Sequence, residues 1–376
     1  MSVLEAARAV AERVKRGMRP KRTIVFATWD AEEWGLIGST EYVEDDSLRL
    51  LQGAVAYLNQ DGAAQGPNFG GGGSPSLGAT LRAITRAIDD PSGKGSIYEV
   101  WRRTLGVADS EEPAMGDPGG DSDYAGFYNH LGIPHADWGF GGAGGSITRC
   151  TTVGDGWKRS VTRATDIMQP RPASARRWRC DSRTLTCYPY DYVEFARTMR
   201  RYVPAVDQAI ASRKWPVSAG GLAASIARLE RSAVAFTAMR DSALSRTMTR
   251  QVSLAVNGAL LRVERALTRP EGLRTRPWYR NLIYAADENN GYATIVFPSV
   301  NEAIHTGDTA LTQREIDDLG RRFDAAQLHS TTRHRRSSVR RRPVASSGRT
   351  AVGAAIGAAC RKRMRRAPRA SSRAES

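Results

Sequence analysis

Hydrophobic patterning divides the sequence into a mixed α/β first part and a helical second part. Apolar residues recur every three or four positions in residues 1–19 and again across 192–267, which predicts amphipathic helices. Short β-branched and aromatic runs predict buried strands at 23–29, 53–61 and 133–140. Further helices are predicted between these strands, at 39–51, 77–88, 96–105 and 124–131. The alternation favours an α/β fold with a mixed sheet flanked by helices, followed by a helical domain.

Several stretches lack this patterning and set the domain boundaries. Residues 66–78 are rich in Gly, Pro and Ser, and their GGGG run lacks the lysine of a phosphate loop, so a flexible loop is predicted. Residues 144–187 show no coherent period, and 328–376 form an Arg/Ser-rich tail predicted to be disordered. Four parts are therefore expected: the α/β part at 1–143, the segment without a period at 144–187, the helical part at 188–327 and the Arg/Ser-rich tail at 328–376.

The charge of the chain is unevenly distributed. The net charge is +16, but the excess of Lys and Arg lies in 144–187 and 328–376, and the remainder is slightly acidic. The tail contains no aromatic residue, so a nucleic-acid partner is not expected. No run of 18 apolar residues occurs, which predicts no membrane span. The first residues have the pattern of an amphipathic helix and lack the apolar centre of a signal peptide.

Acidic residues follow two of the predicted strands. Asp30, Glu32 and Glu33 come after the strand at 23–29, and Asp61 ends the strand at 53–61. Ligands bind beyond the carboxyl ends of strands in open α/β sheets. Consecutive side chains on an extended backbone point to opposite sides, so one glutamate could ligate a cation while the other faces a water. An acidic pair on its own is more typical of a solvated surface.

Four sequence blocks together resemble a known family. WDAEEWGLIGSTEYVE, AYLNQD, LGIPHADWGFGG and RPWYRNLIYA are similar to the glutamate carboxypeptidase II family of zinc peptidases, which includes the transferrin receptor. The resemblance implies a partial zinc-exopeptidase sheet followed by a transferrin-receptor-like dimerisation domain. It further implies two zinc ions that share a bridging water, a peptide substrate and a homodimer.

The resemblance also implies roles for individual residues. Glu32 matches the general base, Glu33 a zinc ligand and Asp61 a ligand of the other zinc. Glu41 and Glu44 match positions that bind a structural calcium in some members. The alternative for this last pair is that both are ordinary exposed acids of a helix.

Three further residues match positions beside the substrate. They are Ser122 and Asp123 at the end of the acidic loop 108–123, and Tyr292 in the loop 284–299, which in the family reaches back to the site. Ser122 or Asp123 could instead, or in addition, cap the helix that follows.

Departures from the family pattern argue against acidic substrates. Gly291 stands where glutamate-specific members have a lysine, which would pair with a substrate carboxylate. Asp137 and Gly139 stand where those members have two arginines. Preference for C-terminal glutamate or for acidic dipeptides is therefore not expected.

The zinc ligand set is incomplete in this sequence. The family places a His and a bridging Asp upstream of WDAEE, and the sequence is expected to be truncated after them. The late His belongs to a Tyr-His-Ser motif, and a shifted reading of codons compatible with 145–152 gives Val-Tyr-His-Ser-Val-Tyr-Asp. The hypothesis is that residues 144–187 are translated out of frame. Zinc affinity is expected to be poor, because zinc sites need three or four protein ligands.

Two functional hypotheses remain from the sequence. The first is a zinc-dependent peptidase lineage in which this chain has little activity. The alternative is a catalytically inactive, transferrin-receptor-like protein retained for dimerisation or binding. The retained set of Glu32, Glu33 and Asp61 favours the first, since a protein that only binds has no need of it.

Overall fold

The computed structural model describes residues 2–20, 22–63, 65–142, 187–244 and 249–328. The segment predicted to be out of frame and the basic tail lie almost wholly outside these residues. The helices are α1 (Ser2–Lys15), α2 (Ile37–Asp45), α3 (Ser47–Gly53), α4 (Gly78–Arg86), α5 (Ile97–Thr104), α6 (Tyr192–Ser212), α7 (Gly220–Leu244), α8 (Arg250–Ala266), α9 (Pro298–Thr306) and α10 (Thr309–Ala325). The strands are β1 (Tyr57–Asn59), β2 (Asn68–Gly73), β3 (His135–Gly141), β4 (Tyr284–Ala286) and β5 (Thr294–Val296).

A three-stranded mixed sheet organises the first part of the described chain. Its order is β1-β3-β2, with β1 parallel and β2 antiparallel to the central strand β3. The parallel register pairs Asn59 with Asp137, so the carboxyl ends of β1 and β3 meet at one edge. The mixed sheet flanked by helices confirms the predicted fold class.

The predicted strand at 23–29 does not form. Residues 22–30 belong to no strand, and Val25 is 67% exposed. A strand is stabilised by a hydrogen-bonded neighbour, and none of the described strands pairs with this segment. The apolar run is present in the sequence, but the prediction that it forms a buried strand is wrong.

The glycine-rich stretch predicted to be a flexible loop contains a strand. Residues 68–73 form β2, which pairs with β3 along its whole length. A Cβ on Gly73 would lie 2.4 Å from the carbonyl oxygen of His135. Glycine is needed here because the backbone of β2 passes so close to that of β3.

The second part is helical, as predicted, and α7 packs against both α6 and α10. Asp191 caps α6, because its carboxylate accepts hydrogen bonds from the backbone N–H groups of Val193 and Glu194. Fully buried side chains from these helices share one core with the sheet, including Phe195, Met199, Leu229, Leu319 and Phe323. None of the described helices combines the length and apolar character that a membrane span requires.

Candidate active site

Glu32 and Glu33 lie on a tight turn between the extended segment and α2. Residues Glu32–Trp34 form one turn of 3₁₀-helix, and the backbone N–H of Leu36 donates to the carbonyl of Glu32 over 2.8 Å. The expectation of an extended backbone at the pair is therefore wrong. A 3₁₀-helix has three residues per turn, so the two side chains still diverge. Glu32 is half-buried and Glu33 is exposed.

Gly38 allows α2 to begin against the start of this turn. A Cβ at position 38 would lie 2.5 Å from Oδ1 of Asp30 and 2.7 Å from its carbonyl oxygen. The backbone N–H of Gly38 also donates to that carbonyl over 3.2 Å. A side chain at this position would force the turn and the helix apart.

The structure brings four of the acidic residues together. Partial burial raises the pKa of Glu32 above its usual value, and the negative charges of Asp61, Glu33 and Asp123 raise this pKa further. Burial likewise raises the pKa of Asp123, to which Asp61 adds, while a hydrogen bond from Ser39 acts in the opposite direction. We call Glu32, Glu33, Asp61 and Asp123 the carboxylate rim. It collects acids from the turn, the end of β1 and the acidic loop.

Asn59 connects the rim to the central strand. Its side-chain amide donates to Oγ of Ser122 over 3.0 Å and to Oδ1 of Asp137 over 3.1 Å. Both Asn59 and Ser122 are buried, at 4% exposure. Asn59 was not predicted from the sequence as a site residue, although its place at the end of a predicted strand was a usable signal.

Neither residue of the Ser122-Asp123 pair caps the short π-helical turn that follows at Gly126–His130, which has no side-chain cap. Oδ1 of Asp123 is buried and has no hydrogen-bond donor among the described residues. A buried acceptor without a donor costs free energy. Asp123 lies in the carboxylate rim, and Ser122 accepts the hydrogen bond from Asn59; no side-chain hydrogen bond in the described part of the chain supports the capping alternative.

The loop 284–299, here called the late loop, contacts the acidic loop 108–123. A Cβ on Gly119 would lie 2.5 Å from the carbonyl oxygen of Tyr292, and one on Gly120 would lie 2.7 Å from that of Gly291. Glycine at 119 and 120 thus permits close backbone contact two residues before Ser122. The side chain of Tyr292 is 71% exposed.

Arg276, in the RPWYRNLIYA block, holds that loop in position. Its guanidinium donates to the carbonyl of Ala286 at the end of β4 over 2.6 Å and pairs with Glu302 of α9 over 2.7 Å. Both charged residues are buried. The block is therefore a structural anchor for the late loop, which the sequence alone did not indicate.

The described residues do not complete a zinc site. Carboxylates suit zinc, but no group of three or more His, Cys, Asp or Glu among the described residues is arranged to hold a metal ion. His135 stacks on Tyr124 with ring centroids 3.9 Å apart, and His130 packs against Tyr279. The Tyr-His-Ser motif of the shifted reading lies outside the described residues.

Glu41 and Glu44, the candidate calcium ligands, are exposed on α2. They belong to no group of three or more metal ligands among the described residues. Their position is that of ordinary exposed helix acids, and a calcium role is unsupported.

Comparison with known proteins finds a family match in each of two regions of the chain. Residues 1–160 match peptidase family M28, and residues 217–329 match the transferrin receptor-like dimerisation domain. A probable glutamate carboxypeptidase, LAMP1 of Arabidopsis thaliana, is 32% identical over 329 residues, which is 84% of this chain and 45% of that protein. The aminopeptidase NAALADL1 of Rattus norvegicus is 37% identical over 141 residues, which is 36% of this chain and 19% of that protein.

The chain thus combines a region similar to M28 peptidases with a region similar to the transferrin receptor-like dimerisation domain. These two matches and the relatives named glutamate carboxypeptidase are consistent with the glutamate carboxypeptidase II family that the sequence blocks resemble. The chain spans about 45% of the length of the curated relative LAMP1.

Proposed function

We propose that the carboxylate rim is the general-base side of a zinc-dependent exopeptidase site. Glu32 is the general base, and Glu33 and Asp61 are metal ligands. The observation that carries the proposal is that Glu32, Asp61 and Asp123, from three separate segments, lie close enough for the charges of Asp61 and Asp123 to raise the pKa of Glu32. Family membership supports the same reaction, since M28 peptidases are typically zinc-dependent.

Glu32 has the properties that the proton transfer needs. Its raised pKa makes it a better proton acceptor than an ordinary surface glutamate. Glu32 would take the proton of the attacking water and pass it to the leaving amine of the peptide. Zinc, when bound, lowers the pKa of such a water toward neutrality.

The substrate is a peptide that lacks an acidic requirement. Tyr292 and Ser122 match family positions beside the substrate, and the close contact between their two loops supports this role. Gly291 supplies no cation for a substrate carboxylate. Asp137 would repel an acidic side chain at the place where glutamate-specific members have an arginine.

Zinc titration tests the metal ligands. Calorimetry on the metal-free chain is expected to show weak zinc binding, because the described residues provide fewer than the three ligands that zinc prefers. The double variant Glu33→Gln/Asp61→Asn is expected to abolish it. Glu111→Gln, which removes an exposed acid of the acidic loop, serves as the control.

Peptide hydrolysis under excess zinc tests the base. Glu32→Gln is expected to slow hydrolysis of small peptides by about 10²- to 10⁴-fold. Zinc binding that survives the double variant, or hydrolysis that is indifferent to Glu32→Gln, would contradict the proposal. A chain that binds no zinc and still dimerises would support the alternative of an inactive binding protein.

We further propose that the chain forms a homodimer through residues 217–329. The match to a dimerisation domain supports this, as do the exposed apolar residues Val234, Val252 and Leu254 on α7 and α8. Sedimentation equilibrium is expected to give twice the mass of the chain, and a monomer at all concentrations would refute the dimer.

The out-of-frame origin of residues 144–187 is a proposal about the gene. Resequencing from upstream of Met1 to the codons of Tyr192 is expected to reveal compensating single-base changes and a restored Tyr-His-Ser motif. A read that confirms the sequence as given would refute it.

A further inference from the structure

A cavity of about 220 Å³ lies between β2, the acidic loop and the central strand β3. Its charged side chains are Asp117, Asp121 and Asp137, and the glycine backbone of β2 forms one wall. Among the described residues that line it there is no lysine or arginine. The cavity adjoins the carboxylate rim, because Asn59 donates both to Asp137 of the cavity and to Ser122, the neighbour of Asp123 in the chain.

The pairing of β2 with β3 exposes Asp137 to this cavity. Gly72 is the antiparallel partner of Asp137, and it forms an isolated bridge with Gly116 of the acidic loop. Because the residues at 70–73 have no side chains, nothing from β2 fills the space in front of the carboxylate. Strand β2 therefore lines the cavity with backbone atoms alone.

The three aspartates are held in place by neutral donors. Tyr202 donates to Asp117 over 2.6 Å, and Asn59 donates to Asp137 over 3.1 Å. The hydroxyl of Tyr124 donates to Asp121. Neutral donors fix the positions of these carboxylates but leave their negative charges uncompensated.

A buried histidine, His135, also lines the cavity. His135 is 1% exposed, and its Nδ1 has no hydrogen-bond partner among the described residues. Burial lowers the pKa of His135 to about 3, so its ring is neutral at physiological pH. With the ring proton on Nε2, Nδ1 is a hydrogen-bond acceptor that has no donor among the described residues. A buried nitrogen of this kind points to a ligand that carries N–H groups.

We propose that this cavity binds a primary ammonium group of the peptide, with Asp137 as the residue that determines this preference. An ammonium group carries three donors and no acceptor. These donors suit the carboxylates of Asp137 and Asp121 and the Nδ1 of the neutral His135. The inference rests on the proposed peptidase function and specifies its substrate class. The ammonium can come from a lysine side chain or from the amino terminus of the peptide.

Three probes of nearly equal size separate these sources. N-acetyl-lysine amide carries only the side-chain ammonium, norleucine amide carries only the α-ammonium, and N-acetyl-norleucine amide carries neither. Binding to the metal-free chain is followed by NMR chemical-shift titration. At least one charged probe is expected to bind about ten-fold or more tightly than the neutral one, as hydrogen bonds to charged groups would provide. Whichever charged probe binds identifies the source.

Variants test the assignment to Asp137. Asp137→Asn keeps the shape and an acceptor for Asn59, and it is expected to remove most of the preference for the charged probe. Asp121→Asn is expected to weaken the same binding, and Glu111→Gln is the matched control. Thermal melts of each variant verify that the chain is folded.

The inference is overturned if the neutral probe binds as well as the charged ones, if no probe binds, or if Asp137→Asn leaves the preference unchanged. Its failure is distinguishable from that of the proposed function. Hydrolysis that needs Glu32 but ignores an ammonium group would overturn only the cavity assignment. Ammonium binding without hydrolysis would support the cavity and count against the peptidase.

Discussion

The hydroxyl of Ser76 donates a hydrogen bond to the carboxylate of Glu264 over 2.5 Å in a fully buried position. Ser76 belongs to the region that matches peptidase family M28, and Glu264 lies on α8 in the dimerisation-domain match. A polar contact without exposure to water thus joins the two regions. Burial raises the pKa of Glu264 to about 7.

This raised pKa predicts a pH-dependent stability. Between the ordinary pKa of about 4.5 and about 7, the folded state keeps a proton that the unfolded state releases. Stability contributed by this group is therefore complete below pH 4.5 and falls as the pH rises through 7, by about 3 kcal/mol in all.

Urea unfolding at pH 5 and pH 8 measures this loss. In Glu264→Gln the titrating group is absent, so the difference between the two pH values is expected to shrink by that amount. Glu111→Gln, an exposed acid, is expected to leave it unchanged. An equal pH dependence in the wild type and Glu264→Gln would contradict the assignment.

The buried ion pair of Arg276 and Glu302 predicts a large cost for removing one partner. Arg276→Met leaves the carboxylate of Glu302 without its cation and frees the carbonyl of Ala286. The free energy of unfolding is expected to fall by about 3–5 kcal/mol, because a lone buried charge is strongly unfavourable.

An exposed pair provides the comparison. Arg200 and Glu230 lie 2.8 Å apart, with the arginine side chain 57% exposed. Arg200→Met is expected to cost less than about 1 kcal/mol in the same denaturation experiment. Similar losses in the two variants would show that the 276–302 pair is not a structural anchor.

The variant Gly38→Ala is expected to distort the turn that carries Glu32 and Glu33. Alanine normally favours a helix over glycine, but here its Cβ would meet Asp30 at 2.5 and 2.7 Å. The variant is expected to lose about 1–3 kcal/mol of stability, as overpacked sites do. Gly53→Ala, where no atom lies within 4 Å of the added Cβ, is expected to be neutral or slightly stabilising. Thermal or chemical denaturation of both variants tests the contrast, and equal stability would contradict it.

Periodicity predicted the helices well because their apolar faces are local features of the sequence. The capping box at Ser96 and Glu99 and the cap at Asp191 are signals of the same local kind. The strand at 23–29 was predicted wrongly, because strand formation depends on a neighbour that the local sequence does not reveal. For the same reason the pairing of the glycines in β2 was missed.

The residues of the candidate site likewise divide into those that the sequence predicted and those that it did not. The family resemblance pointed to Glu32, Asp61 and Asp123, and the structure brings these residues close together. The roles of Asn59 and His135 depend on contacts between strands and loops that are distant in sequence. No periodicity could have shown that a tyrosine ring covers His135 or that Asn59 contacts both Ser122 and Asp137.

The carboxylate rim predicts a change in the pKa of Glu32 that can be measured without any enzymatic activity. The charge of Asp61 contributes to the raised pKa of Glu32, after partial burial. Asp61→Asn removes that negative charge while nearly keeping the side-chain shape, so the pKa of Glu32 is expected to fall toward its ordinary value. The side-chain carboxyl carbon of Glu32, followed by NMR over a pH titration, reports the change. Glu111→Gln is expected to leave the midpoint in place, because Glu111 does not contribute to the pKa of Glu32. An unchanged midpoint in Asp61→Asn would separate the two residues and remove the electrostatic basis for a shared site.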